Sequence, residues 1–223
     1  MKDLGPRYEF HCHTILSDGR LLPLALAGEA QARNTAVIAI TDHVDPSNIE
    51  FAVKSLVNFA KEIEGKVPIK IIPGAEISYL PPELIGQYAK KARELGAKII
   101  VVHGESPVEP VPKGTNRAAL KLRGLVNILA HPGWISEKDV KLAADNEIYL
   151  ELSNRTGHDK GNRHVAKMAK KFGAKLLVNT DAHHDKDLIT QAQAYKIARK
   201  AGLNEKEAII TIRDNPRELI KRI

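Results

Sequence analysis

The sequence predicts an α/β protein folded as a TIM-like barrel of seven strands, (β/α)7. Three observations carry this expectation. Short runs rich in Val, Ile and Leu alternate with longer amphipathic stretches, the signature of a parallel sheet covered by helices. No linker, low-complexity segment or short-period repeat breaks the alternation, so residues 1–223 read as one domain. Residues able to do chemistry gather at the C-terminal ends of nearly all the strands. A barrel brings every strand end to one rim, whereas an open sheet collects ligands at one switch point.

The strands are expected at Tyr8 to Cys12, Ala36 to Thr41, Ile69 to Ile72, Lys98 to Val102, Leu125 to Ala130, Ile148 to Leu152 and Lys175 to Val178. Helical patterns fill the intervals: Pro23 to Arg33, Asn48 to Glu64, Pro82 to Leu95, Arg117 to Leu122, Glu137 to Asp145, Asn162 to Phe172 and Asp187 to Ala201. Two short helices follow, around Glu205 to Ile212 and Pro216 to Lys221. Pro23 and Pro82 suit a first helical turn. Gly96, Gly173 and Gly202 stand where C-terminal caps stand. Asn204 and Glu207 have the spacing of a capping box.

Composition narrows the functional classes. Hydrophobic residues make up 43% and charged residues 27%, ordinary for a globular protein, which excludes a disordered or fibrous chain. No apolar run approaches the roughly 18–20 residues of a membrane span. The segment Met1–Pro6 lacks the apolar core of a signal peptide, so a cytoplasmic protein is expected. Cys12 is the single cysteine, which rules out an intramolecular disulfide and a thiolate zinc site. The net charge of +7 is spread along the chain without a basic block. It favours anionic ligands in general. With aromatic residues at 4%, a stacking platform for nucleic acid is not favoured. No coiled-coil seam is present, and the oligomeric state is left open.

The chemistry lies at the strand ends. The first strand ends in His11-Cys12-His13, with Asp18 in the loop after it, and the second ends in Asp42-His43. The third runs into Pro73-Gly74-Ala75-Glu76, the fourth ends at His103 and the fifth at His131-Pro132-Gly133. The seventh ends in Asp181-Ala182-His183, and the sixth, without a histidine, ends in Glu151 and Asn154. Taken singly these residues have plain explanations: a hydrogen-bonded histidine, a turn aspartate, a surface acid. His158, His164 and His184 are read that way, and Asp42 as a cap or as a partner that orients His43. Taken together, the same coincidence would have to recur at almost every strand. His11 and His13, two residues apart on a strand, point to one face, which turns Cys12 toward the helices as an inert buried thiol.

So many imidazoles and carboxylates in one cup would leave ring nitrogens unsatisfied if neutral and repel one another if charged. Divalent cations resolve both problems, and imidazole with carboxylate suits zinc, manganese or iron. Nine candidates, His11, His13, Asp18, His43, Glu76, His103, His131, Asp181 and His183, exceed the needs of one tetrahedral ion and suffice for three. Three such ions against three carboxylates leave the cup positive. That calls for a polyanionic substrate, which a phosphate ester satisfies best.

These motifs resemble those of the polymerase and histidinol phosphatase (PHP) superfamily: His11-Cys12-His13 with Asp18, Thr41-Asp42-His43, His131-Pro132-Gly133 and Asp181-Ala182-His183, with Glu76 and His103 between them. The resemblance runs from Tyr8 to about Arg217. It implies the distorted barrel, a trinuclear metal centre and an active phosphoesterase, since no ligand position is substituted. One ion would take His11, His13, Glu76 and Asp181; a second would share Glu76 and take His103 and His131; a third would take Asp18, His43 and His183. It also implies hydrolysis by a metal-bound hydroxide. Asp42 would orient a ligand, and either His183 or a metal-bound water would protonate the leaving oxygen. Arg155, with Asn154 beside it, is placed to contact the substrate phosphate. Three activities remain open: a phosphatase on small phosphorylated metabolites (histidinol phosphate among them), a phosphodiesterase or 3′–5′ exonuclease on nucleotides or short nucleic acid, and a non-catalytic scaffold. The Pro-rich segment Gly104 to Asn116 is expected to wall the cup.

Overall fold

In the computed structural model, which describes residues 3–223, the apolar runs become strands and the amphipathic stretches cover them. Met1 and Lys2, part of the segment read above as lacking a signal core, lie outside the described residues. The chain runs β1 (Arg7–Glu9), α1 (Pro23–Ala32), β2 (Thr35–Ile40), β3 (His43–Val44), α2 (Ile49–Ile63), β4 (Lys70–Ile77), α3 (Ile85–Glu94) and β5 (Ile99–His103). It continues through α4 (Thr115–Leu120), β6 (Ile128–Ala130), α5 (Glu137–Asp145), β7 (Tyr149–Ser153), α6 (Asn162–Phe172), β8 (Leu176–Asn179), α7 (Gln191–Lys200), α8 (Glu205–Ile209) and α9 (Asn215–Lys221). All strand pairings are parallel, in the order β1-β2-β4-β5-β6-β7-β8, with β3 beside β4. β3 continues the line of β2 after a break at Thr41-Asp42, so the eight segments make seven staves. Among the described residues no helix is long and apolar enough to cross a membrane.

Side-chain alternation sorts each stave into an inner and an outer row. On β5, Ile99 and Val101 join Phe10, Val37, Ile72, Ile128, Tyr149 and Leu177 in the barrel interior. Ile100 and Val102 face the other way, into the layer of Ala89, Ala92, Leu120 and Val140 from the helices. The inner row of β5 therefore ends on His103, and that of β7 runs Tyr149, Glu151, Ser153. Apolar filling thus occupies the lower barrel and polar groups the upper rim.

Several boundaries differ from expectation for identifiable reasons. β1 stops at Glu9 because side chains replace the ladder: Asn179 Oδ1 accepts the Phe10 amide at 3.2 Å and Glu9 Oε1 accepts the His11 amide at 3.1 Å. Pairing resumes only as a bridge between Cys12 and Ala182. β4 does not end at Ile72 but runs through Pro73-Gly74 to Ile77. The Pro-Gly pair falls where its neighbour changes from β2 to β3, and the Pro73 carbonyl still accepts the Lys98 amide at 2.7 Å. Gly74 is required there, since a Cβ would stand 2.7 Å from Thr41 Cγ2 and 2.9 Å from the Ile99 carbonyl. α7 begins at Gln191 rather than Asp187, because Thr190 caps it in a box with Gln193 while residues 185–187 form a separate 3-10 turn. A π-helical turn at Ile210–Asp214 joins α8 to α9, where two separate helices were expected. The Asn204–Glu207 capping box forms as read.

The seam between the first and last staves is closed by a buried ion pair. Arg7, 1% exposed, meets Glu9 at 2.6 Å and donates to the Val178 carbonyl at 3.0 Å, while Glu9 Oε1 also accepts the Thr180 amide at 3.1 Å. Removing one member strands a buried charge. Glu9→Ala is expected to lower stability by about 3–5 kcal/mol in denaturant melts. A loss below about 1 kcal/mol would remove this pair from the closure of the barrel.

Candidate metal centre

The rim is built by short, constrained turns. Asp42 is fully buried and organises the loop after β1: Oδ1 accepts the Thr14 amide and the Ser17 hydroxyl, both at 2.7 Å, and Oδ2 accepts the Thr14 hydroxyl at 2.8 Å. Gly19 closes this loop where a Cβ would meet the His13 carbonyl at 2.3 Å, so Asp18 is delivered back over the cup. His131 and Asp181 hold positive φ angles of 25° and 53°, a local cost that persists only where the surroundings impose it. Cys12 points away from the cup, as read: its thiol lies 3.2 Å from the Ala39 carbonyl and packs with Leu26, Ala27 and Ala30 of α1.

The nine predicted residues converge. Glu76, with no exposed surface, has imidazole nitrogens of His43 at 2.8 Å, His11 at 3.2 Å, His13 at 3.6 Å and His131 at 3.8 Å. Asp181 meets His13 at 3.1 Å and His11 at 3.6 Å. Asp18 meets His183 at 3.2 Å and His43 at 3.7 Å. Donor atoms fall within 4.8 Å of one another in four sets: His13-Asp18-His43-His183, His11-His13-Glu76, His11-His131-Asp181 and Glu76-His103-His131.

The electrostatics are uneven. Burial depresses His11, but Glu151, Glu76 and Asp181 outweigh it and raise its pKa well above the ordinary value. Burial likewise opposes the charge of His43, which Glu76 nevertheless raises to about 9. Burial and the His43 charge push His13 well down, and burial with His103 and His158 does the same to His131. Burial raises Asp181, whereas His11 and His43 overcome burial to hold Glu76 well below the usual carboxylate range.

Two other predicted residues stand at the edge. Arg155 Nη1 lies 2.6 Å from His183 Nδ1 and 3.2 Å from the Asp181 carbonyl, and its Nε is 3.6 Å from the Asp181 carboxylate. Asn154 turns its amide to the Asp187 carbonyl at 3.4 Å, away from the cup.

Sequence reasoning missed three members. Glu151 binds His11 Nδ1 at 2.8 Å and so aims the other ring nitrogen into the cup; the inward alternation Tyr149, Glu151, Ser153 was the available signal. His158, read as an ordinary hydrogen-bonded histidine, is buried with its ring 4.1 Å from that of His131. Glu109, on the Pro-rich loop, reaches His103 Nε2 at 2.7 Å. No periodic pattern marks these last two, because loop conformation brings them in.

The donor set fits divalent cations. Buried His11 Nε2, both nitrogens of His13 and of His131, and both oxygens of Glu76 have no hydrogen-bond partner. Such orphaned groups cost about 1–3 kcal/mol each, and a shared cation satisfies them together. Cation binding must also expel the protons that the surrounding carboxylates hold on His11 and His43. Adding Mn²⁺ or Zn²⁺ to the metal-free protein in weak buffer at pH 7 is therefore expected to release protons. The release should shrink as pH rises through about 9, where His43 has already lost its proton. The melting temperature should rise in parallel, by the equivalent of about 2.7 kcal/mol at a hundredfold excess over Kd. The absence of both proton release and a thermal shift would show that the cup holds no cation.

Comparison with known proteins agrees with this geometry. A family model described as the PHP domain matches residues 9–194. The "Uncharacterized protein MJ1295" of Methanocaldococcus jannaschii is 43% identical over 97% of this chain and 100% of its own length. "Ribonuclease P protein component 3" of Methanosarcina barkeri is 26% identical over 96% of this chain and 89% of its own. "Probable phosphatase Teth514_1060" of a Thermoanaerobacter species is 26% identical over 87% and 86%. Solved structures share the fold. An archaeal ribonuclease P with mature tRNA contains a chain with TM-score 0.72 and 17% identity, covering 96% of this chain and 90% of that one. The histidinol phosphate phosphatase of Lactococcus lactis, complexed with zinc, L-histidinol and phosphate, gives 0.63 and 16%, covering 89% and 95%. By barrel, motif positions and family match, this chain belongs to the PHP domain family.

Proposed function

We propose that the protein is a metal-dependent phosphoesterase that hydrolyses phosphate monoesters at a centre of three divalent cations, zinc, manganese or iron. The observation that carries this reading is Glu76, a fully buried carboxylate whose two oxygens lack hydrogen-bond partners while four imidazoles face them. In this reading Glu76 would be shared by two ions, one that His11, His13 and Asp181 would also hold and one that His103 and His131 would also hold; Asp18, His43 and His183 would hold the third. Bound there, the cations would activate water and neutralise the phosphoryl oxygens.

The chain's own groups do the rest. Glu151 and Asp42 are positioning residues: the first fixes the tautomer of His11, the second fixes the loop that presents Asp18. His183, when its Nε2 faces a cation, must carry its proton on Nδ1 and donate it to the Asp181 carbonyl, 2.9 Å away. Arg155 cannot then also donate to that nitrogen, so its fork of donors is released toward the substrate phosphate. With both His183 nitrogens engaged, solvent supplies the proton for the leaving oxygen. Asn154 supports the turn that carries Arg155. The monoester preference is assigned to the loop bearing Glu109, which brings that carboxylate to within 2.7 Å of His103.

A second reading, a non-enzymatic component of an RNA-processing particle, is favoured by the 26% identity to ribonuclease P protein component 3. The two separate on one assay. With Mn²⁺ or Zn²⁺, p-nitrophenyl phosphate should be hydrolysed well above bis-p-nitrophenyl phosphate. Glu76→Ala should lower that rate by more than about 100-fold, since loss of even an outer partner of a ligand costs about 10–100-fold. Its far-ultraviolet circular dichroism should be unchanged. Preferred cleavage of the diester would give the reading to the phosphodiesterase, and near-normal turnover in the variant would refute the bridging role.

A further inference from the structure

We infer that Tyr79 is the platform on which the leaving group rests, and that the substrate is a phosphate ester of an alcohol bearing a planar ring. The assignment rests on the reading of the cup as a phosphoesterase centre and names the part of the substrate that projects from it.

A phosphoryl group seated in the cup has to send its alcohol out past the rim, so the groups at the mouth select that alcohol. Tyr79 puts its ring against two of the proposed ligands. Its centroid is 4.8 Å from that of His103, with the planes 35° apart, and 6.3 Å from that of His43. These imidazoles belong to different donor sets, His103 with Glu76 and His131, His43 with His13, Asp18 and His183. The ring therefore stands beside both sets at once. The residue is nevertheless 49% exposed. An aromatic ring backed by an imidazole and half open to solvent has room to stack a second planar group. The other exposed aromatic residues are placed differently. Trp134 lies against His164 of α6, whose Nε2 is engaged by the Ile135 carbonyl at 2.7 Å, and Phe51 is carried by α2.

The backbone is constrained to present this ring. Tyr79 has a φ of 58°, a left-handed conformation that suits glycine or asparagine and is costly for a bulky side chain. Its neighbours impose it. Ser78 is buried, with its amide on the Val44 carbonyl at 3.2 Å and its hydroxyl 2.6 Å from His43 Nδ1. Leu80 is buried among the residues that pack under the helices, Ile85 and Leu120 included, and Pro81-Pro82 follow it. With an inward residue on either side, Tyr79 is the one turned out. The chain thus carries an aromatic side chain where glycine would cost less, and strain of this kind persists at positions that are used.

The far end of the ring is tethered as well. The Tyr79 hydroxyl is directed at the Glu109 carboxylate. Glu109 is itself held by His103 at 2.7 Å and His158 at 3.5 Å. Backbone and hydroxyl together fix the ring, and its open face is the surface left for a ligand. Arg155 enters from another part of the rim, at the end of β7, which is not adjacent to β4. Phosphoryl oxygens and the leaving alcohol are thereby given separate partners.

The test uses the full chain loaded with Mn²⁺ and phosphonates, whose carbon–phosphorus bond is not hydrolysed, so binding is read by calorimetry without turnover. The wild type is expected to bind phenylphosphonate at least about tenfold more tightly than methylphosphonate and about threefold more tightly than cyclohexylphosphonate. Tyr79→Phe should keep both ratios. Tyr79→Ala, and Tyr79→Asn, which suits the left-handed backbone, should bring both ratios close to one while orthophosphate binds as in the wild type, with circular dichroism as the fold control. Ratios that persist in the two ringless variants would overturn the inference. So would an equal loss for every ligand, which marks the ring as a mere support for His103. A wild type that binds orthophosphate but ranks phenylphosphonate with the other two would overturn it as well. A wild type that binds none of these ligands, orthophosphate included, would instead refute the phosphoesterase reading, and this inference with it.

Discussion

A fully buried carboxylate faced by four imidazoles sets the terms for the whole upper barrel. Glu76 sits on the inner row of β4, without solvent exposure and without a hydrogen bond. Burying a charge is expensive. A fold retains such a group only if a partner compensates it, and the surrounding imidazoles cannot do so alone: two are driven toward the charged form and two toward the neutral one. The neutral pair, His13 and His131, keeps ring nitrogens without a hydrogen-bond partner in that arrangement. Divalent cations would satisfy them, by accepting every lone pair at once. The architecture below serves that point: Pro73-Gly74 carries β4 past the break in its neighbour to deliver Glu76, and Asp42 fills the break itself.

Much of this was legible from residue order because a parallel barrel maps strand ends onto one rim. His11 and His13 share a face by the period of two, and the remaining strand ends follow from the alternation of strand and helix. The legible part stopped where side chains replace regular pairing. β1 gives way at Glu9 because Asn179 and Glu9 take over its amides, and Pro73-Gly74 read as a stop when it is a change of neighbour within one strand. Glu151 was within reach of the alternation rule. His158 and Glu109 were not, since each arrives on a loop whose path depends on distant clamps such as Glu105 with Asn116.

The barrel itself does not decide among activities, since the same family scaffold carries proteins named as phosphatases and as a ribonuclease P component. What differs is whether the rim retains a complete donor set and what overhangs it. Here all nine donors stand together, and the loop after β5 brings the acid Glu109 against His103. Selectivity is therefore to be sought in the segment between β5 and α4 and in Arg155, rather than in the strands.

The most direct measurement is anomalous diffraction from crystals grown with Mn²⁺ or Zn²⁺. The account predicts peaks within coordination distance of Glu76, flanked by the imidazoles of His11 and His13 on one side and of His103 and His131 on the other, with a third beside Asp18. A map with no peak at Glu76, in crystals whose rings keep the positions described, would contradict it.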